Sequence, residues 1–317
     1  MQILETIVPV FLLIGLGVIL RKKNLLTASG VSSLKKLLIN VLLPVTAFNV
    51  LINGTITRES FLLIAVMIVI LFAAWGIGHV YRPFFDKKIR GYIPLIMTTF
   101  EGGMIGWSLV SIIVGTQNLF LVIPMDVING VFGFTFFAAN LKILAGSRMT
   151  RRETVKSVLG NPLIIAVVLG FAGSAFHLGT RINNSAFAGT YNRCILYLTG
   201  PLSPLMLICI GFGLTFNRET FFTGLKVTVL RYVTVGVLTA AALFFLYRIH
   251  TPSPVLLVAL LTYFSVPTSF LLQMYTDDKD VTEFTSSVLS LEIIASLLIF
   301  SILSVLVQTG VFGCIAG

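Results

Sequence analysis

The sequence predicts an all-α polytopic membrane protein, and three observations carry that reading. The 317 residues are 56% hydrophobic and only 11% charged, with a mean hydropathy of +1.00. A soluble domain carries about twice that charge. Apolar windows of about 20 residues, the length that crosses a hydrocarbon core, recur ten times. The basic residues alternate between loops: of 22 Lys and Arg, all but Arg58, Arg181, Arg193 and Arg248 fall in the odd-numbered ones. Such an asymmetry sets orientation, with the basic loops in the cytoplasm and both termini outside. It also accounts for the net charge of +10 without nucleic acid. No hydrophilic stretch is long enough for a separate soluble domain.

The windows are 4–20, 34–53, 60–80, 93–114, 119–141, 160–179, 194–215, 226–247, 254–275 and 283–308. The first lacks a positive leading region; Glu5 precedes the apolar run, and Arg21, Lys22 and Lys23 follow it. That order suits a retained span rather than a cleaved signal. The second carries Pro44 between Asn40 and Asn49, and the third ends near Trp75 and His79. The fourth and ninth are interrupted, as described below. The fifth contains Asp126 and, one turn on, Asn129. The seventh is broken by Pro201 and Pro204. In the eighth, Arg231 lies five residues from the predicted start and is read as snorkelling to the cytoplasm. The tenth contains Glu292.

Ten spans divide into two sets of five, residues 1–142 and 158–317, joined by a cytoplasmic loop at 143–157. An odd number per set inverts one against the other. At an offset near 160, Pro44 falls on Pro204, and the interruption in span four falls near that in span nine.

Those interruptions are the sequence's strongest functional signal. Residues 98–110 read TTFEGGMIGWSLV, placing Glu101, Gly102, Gly103, Gly106 and Ser108 inside an apolar window. Residues 263–270 read YFSVPTSF, placing Ser265, Pro267, Thr268 and Ser269 in another. Polar and helix-breaking residues at membrane depth are costly unless they line an enclosed site. Paired breaks in corresponding halves point to a transporter's binding site, where helix ends present backbone N–H groups to an anion. The glycines alone would also fit close helix packing. Asn129 is read as either a helix–helix hydrogen bond or a site residue. Glu101, Asp126 and Glu292 are the candidates for coupling transport to a proton or sodium. Glu101 and Glu292 have similar expected depth and are expected to approach one another.

No G-x-S-x-G, H-E-x-x-H or Walker motif occurs, so an enzyme or an ATP-driven pump is not expected. Cys194, Cys209 and Cys314 show no metal or redox spacing. Any uphill transport would be driven by an ion or solute gradient.

At this point the chain resembles the auxin efflux carrier family, in its bacterial permease branch, over nearly its whole length. Span two, LKKLLINVLLPVTAFNVL, is similar to that family's second helix, and Asn161-Pro162-Leu163 resembles the start of its second half. The family's fourth helix carries N-x-x-x-x-G-x-P; Glu101, Gly106 and Ser108 stand in those places. Glu101 for Asn would repel an anion unless it is protonated or holds a cation. Ser108 for Pro leaves the break to glycine. The resemblance implies two inverted five-helix repeats with crossing broken helices four and nine. It also implies a scaffold of spans one, two, six and seven, and a transport domain of three to five and eight to ten. Elevator-like alternating access, a homodimer in the cell (inner) membrane and organic-anion substrates would follow. Two other readings are an ion-coupled carrier of a non-carboxylate solute, as in the related bile acid sodium symporters, and a membrane sensor without turnover.

Overall fold

A computed structural model describes residues 2–54, 58–146, 150–215, 218–249, 251–274 and 278–312. Among them every regular element is a helix. In chain order these are α1 (Gln2–Lys22), α2 (Ala28–Asn53), α3 (Arg58–Tyr81), α4 (Ile93–Ile96), α5 (Gly102–Val114), α6 (Ile123–Leu144) and α7 (Arg151–Leu159). There follow α8 (Pro162–Ala175), α9 (Leu178–Asn183), α10 (Ala188–Gly213), α11 (Arg218–Ile249), α12 (Pro254–Phe264), α13 (Leu271–Met274) and α14 (Lys279–Gln308). By length and composition, six of the helices can each cross a membrane: α2, α3 (with the 3-10 turn that follows it), α6, α10, α11 and α14. α7 and α8, bent by 57°, make a seventh when taken as one span. α5 and α12 are shorter apolar helices.

The irregularities have local causes. Pro44 has no N–H and its ring crowds the carbonyl four residues back. The turn before it, Leu38–Leu42, widens to a π-helix. A second π turn, Gly133–Phe137, lies within α6. α8 starts at Pro162 with Asn161 as its cap, accepting from the N–H of Leu163 at 2.9 Å. The segment expected to be a connecting loop is helical from Arg151, where Thr150 and Glu153 form a reciprocal capping box. α11 begins at Arg218, eight residues before the predicted span, so Arg231 is carried far into the bundle.

Two groups of helices share the core. α1 packs on the second half of α10, and α2 packs on α8. Here glycine lets backbones touch. A Cβ on Gly17 would lie 2.1 Å from the Ile208 carbonyl oxygen, and one on Gly211 would lie 1.9 Å from that of Ile14. In the other group α3 packs on α4, α6 and α11, α11 on α14, and α12 on α5. Large apolar side chains such as Leu12, Val69, Val168 and Phe244 are exposed on the outside, as in a surface that meets lipid.

Candidate functional site at the crossing of two broken helices

Between α4 and α5, residues 97–101 leave the helix; between α12 and α13, residues 265–270 do the same. The two unwound segments touch. The Glu101 N–H donates to the Pro267 carbonyl at 2.8 Å, a carbonyl that lies in the unwound segment and has no helical partner of its own. The hydroxyls of Thr99 and Thr268 lie 3.2 Å apart. The Phe270 N–H donates to Glu101 Oε2 at 2.8 Å. The first break precedes the glycines, contrary to its expected position at 102–108. Gly102 opens α5, and Ser108 lies within it, bonded to the Met104 carbonyl at 3.0 Å.

Unwound backbone in a membrane needs partners for its polar groups. On the first segment the carbonyls are held by Arg231. Its Nη1 donates to Ile96 and Thr98, each at 2.5 Å, and its Nη2 to Thr99 at 2.8 Å. A cation at the C-terminal end of α4 also suits the local dipole. Arg231 is 1% exposed, so the snorkelling expectation is wrong. That reading placed the residue too near a helix end. The ring of Phe100 lies against the guanidinium, 5.1 Å from its centre.

Asn129 holds the next residue. Its Oδ1 accepts from the Phe100 N–H at 2.9 Å, and its Nδ2 donates to the Phe100 carbonyl at 2.7 Å. The same Nδ2 lies 3.1 Å from Asp126 Oδ1, which also accepts from the Tyr263 hydroxyl at 2.5 Å. A charge-assisted bond of this kind contributes about 1.5–3 kcal/mol. Tyr263 belongs to α12, so Asp126 ties the fifth predicted span to the ninth. Gly102 makes room for it: a Cβ there would fall 1.9 Å from Asp126 Oδ1. The Trp107 indole N–H is buried with no hydrogen-bond partner among the described residues.

The amides of the second segment are held by carboxylates. Glu292 Oε2 accepts from the Thr268 N–H at 2.7 Å and lies 3.4 Å from Arg231 Nε. Glu292 is fully buried, and its Oε1 lacks a partner among the described residues. Ser296, one turn along α14, has a buried hydroxyl that is likewise unpartnered among the described residues. The Tyr232 hydroxyl lies 2.9 Å from the Ser265 carbonyl and 2.8 Å from that of Glu292, and its single proton serves one at a time.

Glu101 is different. Asp126 and Glu292 are buried, whereas Glu101 is only partly so. It is the residue before α5, and no side chain of the described residues caps that helix. The first intrahelical donor is the N–H of Ile105, leaving those of Gly102, Gly103 and Met104 ahead of it. Gly103 is also partly exposed. Lys35, on α2, lies over the Phe270 ring at 5.1 Å from its centre. Asp126 Oδ1 lies against Gly102, the residue after Glu101. Glu101 and Glu292 grip the same break, at Phe270 and Thr268.

The structure therefore brings Glu101, Gly102, Asp126, Asn129, Pro267, Thr268 and Glu292 into one crossing. Gly106 lies against the Tyr263 ring, where a Cβ would be at 3.4 Å. Gly103 faces Leu43 on α2. The Ser265 hydroxyl returns to its own helix, at the Thr262 carbonyl, 2.7 Å away. His250 and Cys314 lie outside the described residues. Sequence reasoning missed Arg231, Tyr232, Tyr263 and Lys35. A basic residue in the middle of a 32-residue helix was the available signal for the first. No group of three or more His, Cys, Asp or Glu suited to a metal occurs among the described residues.

This is the architecture of a membrane transporter: a helical bundle with apolar outer faces and charged groups around broken helices at its centre. No protein-family model matches the sequence. A curated protein of Methanothermobacter thermautotrophicus, named "Uncharacterized transporter", is 26% identical over 244 residues, which cover 74% of this chain and 77% of that one.

Proposed function

We propose that the chain is a secondary active transporter of a small organic anion, built as ten spans in two inverted sets of five that work by elevator-like alternating access. The transporter relative and the apolar helical bundle support membrane transport. The resemblance to the auxin efflux carrier family supports the finer reading. One observation carries the site: Glu101 Oε2 accepts from the Phe270 N–H at 2.8 Å. That amide, at the start of α13, is one that an anionic solute would otherwise use. Glu101 is a tethered anion in the solute's place. A proton or sodium ion taken up by Glu101 and its neighbour Asp126 neutralises that charge and releases the amide. The solute then binds where the carboxylate was, beside the uncapped N-terminus of α5. Asp126 already accepts from Tyr263 and Asn129, which leaves Glu101 as the group that exchanges the ion.

The test is flux of labelled mono- and dicarboxylates in proteoliposomes, across imposed pH and sodium gradients. Gradient-driven accumulation of a carboxylate is the expected result. Accumulation of amines or neutral solutes alone would instead favour the non-carboxylate carrier. Absence of any solute movement would leave a sensor on the same fold.

A further inference from the structure

We propose that α7 is a docking surface for anionic phospholipid headgroups, lying in the headgroup layer at the foot of α8. The argument begins with which face of this helix is buried. Thr154, Ser157 and Val158 turn towards the bundle, and the Ser157 hydroxyl donates to the Phe134 carbonyl at 3.2 Å. Arg151, Arg152, Val155, Lys156 and Leu159 all face outwards and, with Gly160, line one shallow groove.

That outward face mixes two chemistries in a graded order. Val155 is 55% and Leu159 is 67% exposed, although a soluble surface helix would turn such residues inwards. On α8, the helix that follows, Ile165, Val168 and Leu169 are exposed as well. α7 bends away from α8 by 57°, and its far end carries Arg151 and Arg152. The apolar Leu159 thus lies next to the lipid-facing helix and the two arginines lie at the far end, with Val155 and Lys156 between them. A helix resting at the boundary of acyl chains and headgroups has this order.

The charge on this face is also uncompensated. The acid of the helix, Glu153, is engaged in its capping box and lies 3.7 Å from Lys142 on α6. The backbone N–H of Thr150 and the Lys142 charge hold the Glu153 carboxyl below its usual range, so it stays ionised against them. Arg151, Arg152 and Lys156 make no ion pair among the described residues. Each such residue near an anionic membrane surface is drawn to it. Their complement is a phosphodiester whose acyl chains run down past Leu159 along α8.

The experiment uses the full chain in detergent and follows its thermal unfolding as phosphatidylglycerol, phosphatidylcholine or inorganic phosphate is added. Phosphatidylglycerol is expected to raise Tm by a few degrees; the other two are not. The variant Arg151→Gln/Arg152→Gln/Lys156→Gln is expected to lose at least half of that rise while keeping its Tm in phosphatidylcholine. Neutralising another basic loop, with Arg82→Gln/Lys87→Gln/Arg90→Gln, is expected to leave the rise intact. An undiminished rise in the α7 variant would overturn the proposal. So would an equal response to phosphatidylcholine, or to inorganic phosphate, which would indicate an apolar or a free-anion effect. Should the triple variant not fold, the three single variants carry the test: each is expected to reduce the rise, and no reduction in any of them refutes it.

Discussion

Arg231 and Glu292 meet at 3.4 Å inside the bundle, and each holds a different broken backbone. Arg231 takes the carbonyls of the first break and Glu292 takes an amide of the second. Each lies about 20 Å along its helix from the N-terminal end, at 1.5 Å per residue. The pair therefore fixes one unwound segment against the other. Removing one member leaves the other charge buried alone, which typically costs about 3–5 kcal/mol. Arg231→Met is expected to lower thermal stability sharply, and Arg231→Met/Glu292→Met to recover part of the loss. A double variant no more stable than the single one would show that the backbone contacts, and not the pairing, dominate.

Glu101→Gln is expected to separate two activities. The neutral amide side chain, like the neutralised carboxyl, gives up the Phe270 N–H to the solute and carries no charge that an ion must neutralise. Concentrative uptake should fall to background, while equilibrium exchange of solute persists. Uptake driven by pH or sodium gradients, measured beside exchange in the same vesicles, decides this. Wild-type accumulation in the variant would move the coupling role to Asp126.

The glycines of the first break make a graded prediction. Gly102→Ala would put a Cβ 1.9 Å from Asp126 Oδ1, and so should displace Tyr263 and abolish transport. Gly103→Ala meets only the end of the flexible Leu43 side chain at 3.0 Å and should be partly active. Gly236→Ala, with nothing within 4 Å, should be stable and active. Purified yield and flux for the three, compared side by side, check the order.

Lys35 lies over the ring of Phe270, the residue whose N–H Glu101 accepts. Lys35→Gln should raise KM for an anionic solute several-fold and leave the maximal rate less affected. It should also flatten the salt dependence of uptake, because a screened charge has been removed. An unchanged KM would confine Lys35 to a packing role on Phe270.

Much of this was legible in the chain, for a clear physical reason. Breaks, prolines and intramembrane carboxylates are costly, so they stand out in an apolar sequence; Glu101, Asp126, Glu292 and Pro267 were found that way. What was not legible depends on depth and on partner. Arg231 was misplaced because α11 starts within a polar stretch, at Arg218, that hydropathy does not count as span. The first break was set at the glycines, but its bonds depend on Asn129 and Arg231, which lie 29 and 132 residues away from their partners. Tyr263 opened the second interrupted stretch without a role of its own; only the fold reveals Asp126 at its hydroxyl.

The glycine contacts between α1 and α10 restrict how the molecule can move. Gly17 meets the Ile208 carbonyl and Gly211 that of Ile14. Where main chains touch, no layer of side chains remains to change rotamer and let one helix slide along its neighbour. This pair is locked in register like meshed teeth. Shear must then run along seams padded by longer side chains, and Lys35 against Phe270 lies on one of them.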